Sequence, residues 1–491
     1  MKYQMIKFKK IIIFLSVLSL AFELDVFQIA GSGIKLWMLA VIASGLILLW
    51  DLYKKGFTWL KQSKILWLGA GLVFFSGLGI LNSPQKVFSA KQLIILIALV
   101  ILGVFLELNI KKYRRFVYFG LIAGILINSL YAIYQNVAFN FGWPNFEIMA
   151  ARPNGFFPEP DWLGIYLALG LAPFLVSLSF NLPLSPLLAK EGKKSLSSPY
   201  KEEVSPWRGR GLLIYIFTLL ALTALTITVA RASWLALIAE MGIILLTSVY
   251  FTFVIPSKSA LVGRVEKSLK QTKRDPSTAL GMTIKPGLFK TTLIFISLVL
   301  ISLIAINLFH LSRFNIPDRF RSIFFREHVI TVAENPATGE SLKINLEEIE
   351  QYRAQGYRIK ENYVGDENVA SREEKFTGAW EIIRQHFVLG SGLGITLIAT
   401  NYEHNANNLF LEWWASAGIG GLLMIAGILL YLLGKGLLLL KTKPVEAALV
   451  LAGTAGFIIV NLFNASIFLA FAWFYLAWLL VNSNIEYQKS K

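Results

Sequence analysis

The chain has no cysteine and little charge: only 16% of its 491 residues are Asp, Glu, Lys or Arg, where soluble domains carry about a quarter. Without cysteine it can form no disulfide, use no thiolate nucleophile and hold no cysteine-ligated metal. No Walker loop, dinucleotide fingerprint or serine nucleophile elbow is present, which argues against an ATP-driven activity. No internal repeat is visible. What the chain has in excess is apolar residue, 55% of the total with a mean hydropathy of +0.60. That composition belongs in lipid.

The net charge of +17 does not speak for nucleic acid, because the basic residues fall in short runs between apolar stretches. Such a pattern reads as membrane topology. With roughly 20 apolar residues per span, twelve spans are expected, at 11–29, 34–50, 65–81, 92–109, 116–138, 162–180, 212–230, 233–254, 291–310, 407–434, 446–465 and 467–482. The expected fold is an all-α polytopic bundle. Placing the N-terminus in the cytoplasm puts 31 of the 47 Lys and Arg on that side. Eleven of the rest lie in 311–403, where 14 acids outnumber them, and long segments escape the charge rule. Both termini are thus expected in the cytoplasm, with the chain in the cytoplasmic membrane. The opening MKYQMIKFKK and IIIFLSVLSLAF lack a small-residue cleavage site and read as an uncleaved first helix.

Three regions follow from this. Residues 1–310 carry nine helices, with Ser-, Pro- and Lys-rich stretches at 182–211 and 255–290 expected to be flexible cytoplasmic loops. Residues 311–403 are polar, with a helix at FTGAWEIIRQHF, and are expected to form a small outer domain. Residues 404–491 hold the last three helices and a cytoplasmic tail.

Ionisable groups at a helix mouth are costly and each calls for a reason. Arg231, in TVARASWLAL, lies between two apolar segments with almost no loop, so it either snorkels to headgroups or binds an anion. A planar guanidinium fork suits phosphate or diphosphate. Arg152 precedes Pro153-Asn154-Gly155-Phe156-Phe157, a turn expected to dip back toward the membrane, and is either a solvated loop residue or a second anion ligand. In the same loop Glu159 and Asp161 flank Pro160. They could orient an arginine, and Asp161 is expected to cap the following helix. Arg372 precedes an aromatic-containing helix. His404 heads the next span with Asn405, Asn407 and Asn408 around it and Glu412 two turns on; a near-neutral histidine is a natural acceptor of a hydroxyl proton. His310, His328 and His386 lack such surroundings and read as structural. Glu23 and Asp25, at i and i+2, fall short of a metal signature, so no metal is expected.

Taken in order, RPNGFFPEPDWLGIYLAL, TVARASWLAL, SREEKFTGAWEIIRQHFVLGSGLG and EHNANNLFLEWWASAGIGGLL resemble the O-antigen ligase and polymerase family. The turn departs from that family at Val388, where proline is common, and its His-x-His pattern is reduced to His404 and Asn405. The resemblance implies a GT-C-like, metal-independent, inverting membrane glycosyltransferase without cofactor. Its donor would be a lipid-linked oligosaccharide on undecaprenyl diphosphate, and its acceptor a glycan, lipid or protein. It further implies that Arg231 and Arg372 hold the diphosphate and His404 takes the acceptor's proton, with Arg152, Asn405, Asn408 and Glu412 binding substrate. The competing class is a twelve-helix transporter or a flippase of a polysaccharide precursor, which shares the even span number.

Overall fold

The computed structural model describes residues 2–23, 25–29, 32–180, 208–268, 286–312, 314, 316–325, 327–336, 341–343, 349–365, 367–396 and 406–484. The first seven helices are α1 (Lys2–Ser19), α2 (Leu36–Lys55), α3 (Phe57–Leu60), α4 (Lys64–Leu81), α5 (Lys86–Ile110), α6 (Arg114–Phe141) and α7 (Pro160–Ser179). Then come α8 (Arg208–Ile227), α9 (Arg231–Ser268), α10 (Pro286–Leu308) and α11 (Ile316–Phe325). After α12 (Ile349–Ala354) and α13 (Glu367–Gln385), the chain closes with α14 (Leu409–Leu439), α15 (Pro444–Leu462) and α16 (Ala470–Ser483). Among the described residues eight helices are long and apolar enough to cross a membrane: α2, α4, α5, α6, α7, α14, α15 and the first twenty residues of α9. Shorter apolar stretches run through α8, α10 and α16.

Three expectations are corrected. The first span, expected at 11–29, ends at Ser19, and its basic leader is itself helical. Asp25–Ile29 and Ser32–Lys35 instead form an antiparallel hairpin, β1 and β2, and the DVFQI of β1 is rich in the β-branched and aromatic residues that favour strands. Helix α9 continues to Ser268, so the segment expected to loop from 255 begins as helix; 181–207 and 269–285 lie outside the described residues. The region 311–403 is not purely helical. Strands β3 (Glu327–Glu334), β4 (Ser341–Lys343) and β5 (Arg358–Gly365) make an antiparallel sheet in the order β4-β3-β5, with Glu327 opposite Gly365 and Glu334 opposite Arg358. The run HVITVA in β3 is rich in the β-branched residues that favour strands.

The two ends of the bundle differ. At one end Lys9 pairs with Asp51, and Lys64 reaches Tyr431 and Asn484. The start of α1, the end of α2, the start of α4 and the end of α16 therefore meet. There the buried Glu107 carboxylate accepts from the Ser63 hydroxyl and from the backbone N–H groups of Lys64 and Ile65, supplying acceptors to the open N-terminus of α4. At the opposite end the buried Glu23 accepts from Lys35 Nζ at 2.9 Å, Trp37 Nε1 at 3.2 Å and the backbone N–H of Ala470 at 3.3 Å. It ties α1, the hairpin, α2 and α16 together.

The glycine-rich turn after α13 docks on a kink in α14. Ser391 and Gly392 donate their N–H groups to the carbonyls of Ala415 and Ser416, and Ile419 donates to Phe387. Gly418 breaks the helix with φ +66°, and a Cβ there would stand 2.0 Å from the Val388 carbonyl oxygen. Gly418→Ala should therefore cost about 3 kcal/mol, the upper end for a strained backbone position, and lower the thermal midpoint in detergent. Gly427→Ala, whose Cβ would meet nothing within 4 Å, should leave the midpoint unchanged or raise it.

Candidate functional site

The loop that carries Arg152 is held by amides buried in α6. Gly155 N–H donates to Gln135 Oε1 at 2.8 Å, Phe156 N–H donates to Asn128 Oδ1 at 3.0 Å, and Gln135 donates to Asn154 Oδ1 at 3.2 Å. Phe156 in turn accepts from the Glu23 N–H at 3.0 Å. Pinned this way, the turn dips into the bundle, with Asn154 and Phe157 buried. Arg152 then points Nε at the Thr228 carbonyl, 3.2 Å away, and Nη2 at Asp161 Oδ1, 2.7 Å away.

Thr228 belongs to the three-residue turn between α8 and α9. Its hydroxyl donates to the Leu225 carbonyl at 2.7 Å and accepts from the Ala230 N–H at 3.3 Å. The next residue, Val229, sits at φ +57°, a region that costs a β-branched residue roughly 1–3 kcal/mol. That strain stands two residues before Arg231, the first residue of α9. Arg372, on α13, lies over the Phe463 ring at 5.5 Å, just past the end of α15. Arg319, on α11, lies over Phe314 at 4.8 Å.

These segments enclose a cavity of about 150 Å³ lined by Arg152, Asp161, Arg231, Ser233, Phe314, Arg319, Arg372 and Asn464, with the backbone turn at 229–230. Among the described residues that line it, four are arginines and one is an aspartate. The three arginines singled out from the sequence share this wall, at the bundle end opposite Lys64 and Asn484. Such a concentration of fixed positive charge in a partly enclosed space suits a polyanion, because low-dielectric walls strengthen each charge-assisted hydrogen bond.

Beside the cavity, burial holds the Glu159 carboxyl above the usual carboxylate range. Neighbouring Asp161 pushes it further up, and Arg152 and Lys375 partly oppose the rise. The expected capping role of Asp161 is corrected. Glu159 occupies the N-cap position of α7 without a side-chain cap, and Asp161, already inside the first turn, is drawn to the Arg152 guanidinium instead.

Asn408 and Glu412 do not line the cavity. Asn408 caps α14, accepting from the N–H groups of Phe410 and Leu411 and donating to the Leu462 carbonyl. Glu412 is buried and accepts from Thr396, Ser416 and the Ala406 N–H. The structure gives both residues bracing work. His404 and Asn405 lie outside the described residues.

Two features escaped the sequence. Arg319 was one basic residue among eleven in an acidic stretch; the signal that could have found it is the amphipathic IPDRFRSIFF. Glu240, deep in α9, is fully buried with both carboxyl oxygens lacking a hydrogen-bond partner among the described residues. The Tyr475 hydroxyl near it is in the same state.

No protein-family model matches this chain, and no curated protein matches it. The site therefore rests on its own geometry.

Detergent-purified protein should bind inorganic pyrophosphate with an affinity that falls as salt rises. Arg319→Ala should weaken that binding about tenfold, or 1.4 kcal/mol, in a calorimetric titration. Arg115→Ala, at the opposite end of the bundle, should not change it.

Proposed function

We propose that this chain is a membrane glycosyltransferase of the O-antigen ligase type, which transfers or polymerises a glycan from a polyprenyl diphosphate donor at the outer face of the cytoplasmic membrane. The observation that carries this reading is the convergence of Arg152, Arg231, Arg319 and Arg372, from four separate segments, on one cavity. Arginine clamps of this kind serve diphosphates because the planar fork binds two oxygens at once. In this reading α1 and the shorter apolar helices α8, α10 and α16 also span the membrane, giving twelve spans in a GT-C-like arrangement. The end bearing Lys9, Lys64 and Lys441 faces the cytoplasm by the positive-inside rule. The cavity then faces outward, under the domain formed by α11, the β4-β3-β5 sheet and α13.

The chemistry follows from the charges. The acceptor hydroxyl attacks the anomeric carbon, and the bond to the diphosphate oxygen breaks with its electron pair left on the diphosphate. Arg231 and Arg372 stabilise that growing charge, and they do so without reorganising because their segments are fixed. Attack from the face opposite the leaving group inverts the anomeric centre. The arginines supply the positive charge that a metal ion would otherwise bring. The resemblance gives His404 the acceptor's proton.

A second reading, an ion-coupled carrier of the same precursor, is favoured by Glu240. It lies about 13 Å along α9 from Arg231 at 1.5 Å per residue, near the middle of a hydrocarbon core about 30 Å thick, where carriers keep their sites.

Reconstitution with a polyprenyl-diphosphate-linked glycan and a hydroxyl acceptor separates the two readings. Transfer should release polyprenyl diphosphate and persist in EDTA. Arg231→Lys should fail almost as badly as Arg231→Ala, because a point charge cannot replace the fork. Movement of intact donor across the bilayer with no new glycosidic bond would instead establish the carrier.

A further inference from the structure

Two asparagines stand at the end of α15, and only one of them has both its polar atoms engaged. Asn461 donates to the Phe457 carbonyl at 2.8 Å and accepts from the N–H and the hydroxyl of Ser466, at 2.9 and 2.8 Å. Those bonds close the turn that follows the helix and fix the position of Asn464 within it. Asn464 lines the cavity, is only 9% exposed, and donates its amide N–H to the Val460 carbonyl at 3.4 Å. A carboxamide carries its donors and its acceptor on different atoms, so that bond turns Oδ1 away from the Val460 carbonyl. Among the described residues no group donates to this Oδ1.

The other side chains of the cavity set the contrast. Arg152, Arg231, Arg319 and Arg372 can only donate. Asp161 accepts from Arg152, and the Ser233 hydroxyl turns to α7, where a Cβ on Gly164 would stand 2.8 Å from it. Asn464 Oδ1 is therefore a neutral acceptor placed in a wall of donors. An ionised diphosphate offers oxygens alone, and an oxygen set against Oδ1 is repelled, so the group that suits the arginines gives Asn464 nothing to bind. What satisfies it is a hydroxyl or amide N–H carried next to the diphosphate, and in a glycosyl diphosphate the sugar carries those donors. We propose that Asn464 is a specificity-determining residue that accepts a hydrogen bond from the sugar attached to the diphosphate. This assignment rests on the transferase reading and deepens it, adding sugar recognition to the arginine cradle. Asn464 takes no part in making or breaking bonds and selects which glycosyl group is held. A donor that lacks the hydrogen-bonding group at that place buries Oδ1 unmet, and an unmet buried acceptor costs more than the bond returns when it forms.

The test is calorimetric binding to the full-length protein in lipid nanodiscs, with bare polyprenyl diphosphate and the same lipid diphosphate carrying glucose, galactose or N-acetylglucosamine as probes. The unaltered protein binds at least one glycosylated probe about tenfold tighter than the bare one, the worth of one hydrogen bond to a buried acceptor. Asn464→Ala brings that probe down to the affinity of the bare diphosphate, whose binding also reports that the variant is folded. Asn464→Asp keeps an acceptor and with it the preference among sugars, while every probe binds more weakly because a second negative charge faces the diphosphate. Equal weakening of bare and glycosylated probes by Asn464→Ala, or no change in either, overturns the assignment. So does an unaltered protein that holds all the probes alike. An Asn464→Ala protein that keeps the sugar preference but needs more acceptor for transfer places Asn464 on the acceptor and overturns it as well. An unaltered protein that binds none of the probes overturns the diphosphate reading itself.

Discussion

A helix that ends inside lipid leaves backbone N–H and C=O groups that no water can reach, and each must be met by the protein itself. That constraint accounts for several polar side chains packed at the helix ends and loops here. Glu107 meets the open start of α4, Asn408 meets that of α14, and Glu23 meets that of α16. Asn128 and Gln135 meet the loop between α6 and α7. These groups look like chemistry in a sequence, but the structure commits them to the backbone.

The arginines of the cavity are different in kind. They stand at helix mouths where the bracing stops, and they come from the α6–α7 loop, the α8–α9 turn, α11 and α13. Three of them are steered by local structure: Arg152 by the Thr228 carbonyl and Asp161, Arg319 by Phe314, Arg372 by Phe463. The seating of Gly390 and Gly392 against the kink at Gly418 brings α13, and with it Arg372, back onto the bundle. A backbone contact between two glycine-rich motifs thus sets the geometry of an electrostatic site.

Much of this was legible in the sequence. Long apolar runs announce spans because length and composition suffice to cross a bilayer; Arg152 and Arg231 stood out because they flank such runs on one side, and Arg372 because it precedes an aromatic-containing helix. The short β-prone run DVFQI was lost in the tail of the first apolar run, so the hairpin went unread. Asp161 was read as a helix cap because capping is local, whereas its actual partner reaches it through a loop closure that spacing does not reveal. Asn408 and Glu412 were read as substrate ligands because they neighbour His404, yet their partners, Leu462 and Thr396, are remote in sequence or on another turn. Glu240 passed unnoticed inside an apolar run whose average hides one carboxyl.

The central claim is that separate segments converge to form one cationic cavity, and the absence of native cysteine makes it directly measurable. Cysteines placed at Arg372 and Phe463, a guanidinium-to-ring contact of 5.5 Å, should be joined rapidly by a short bifunctional thiol reagent in membranes. Peptide mass spectrometry would then find α13 linked to the end of α15. Full labelling of both cysteines with no link between them would place Arg372 away from the cavity and contradict the account.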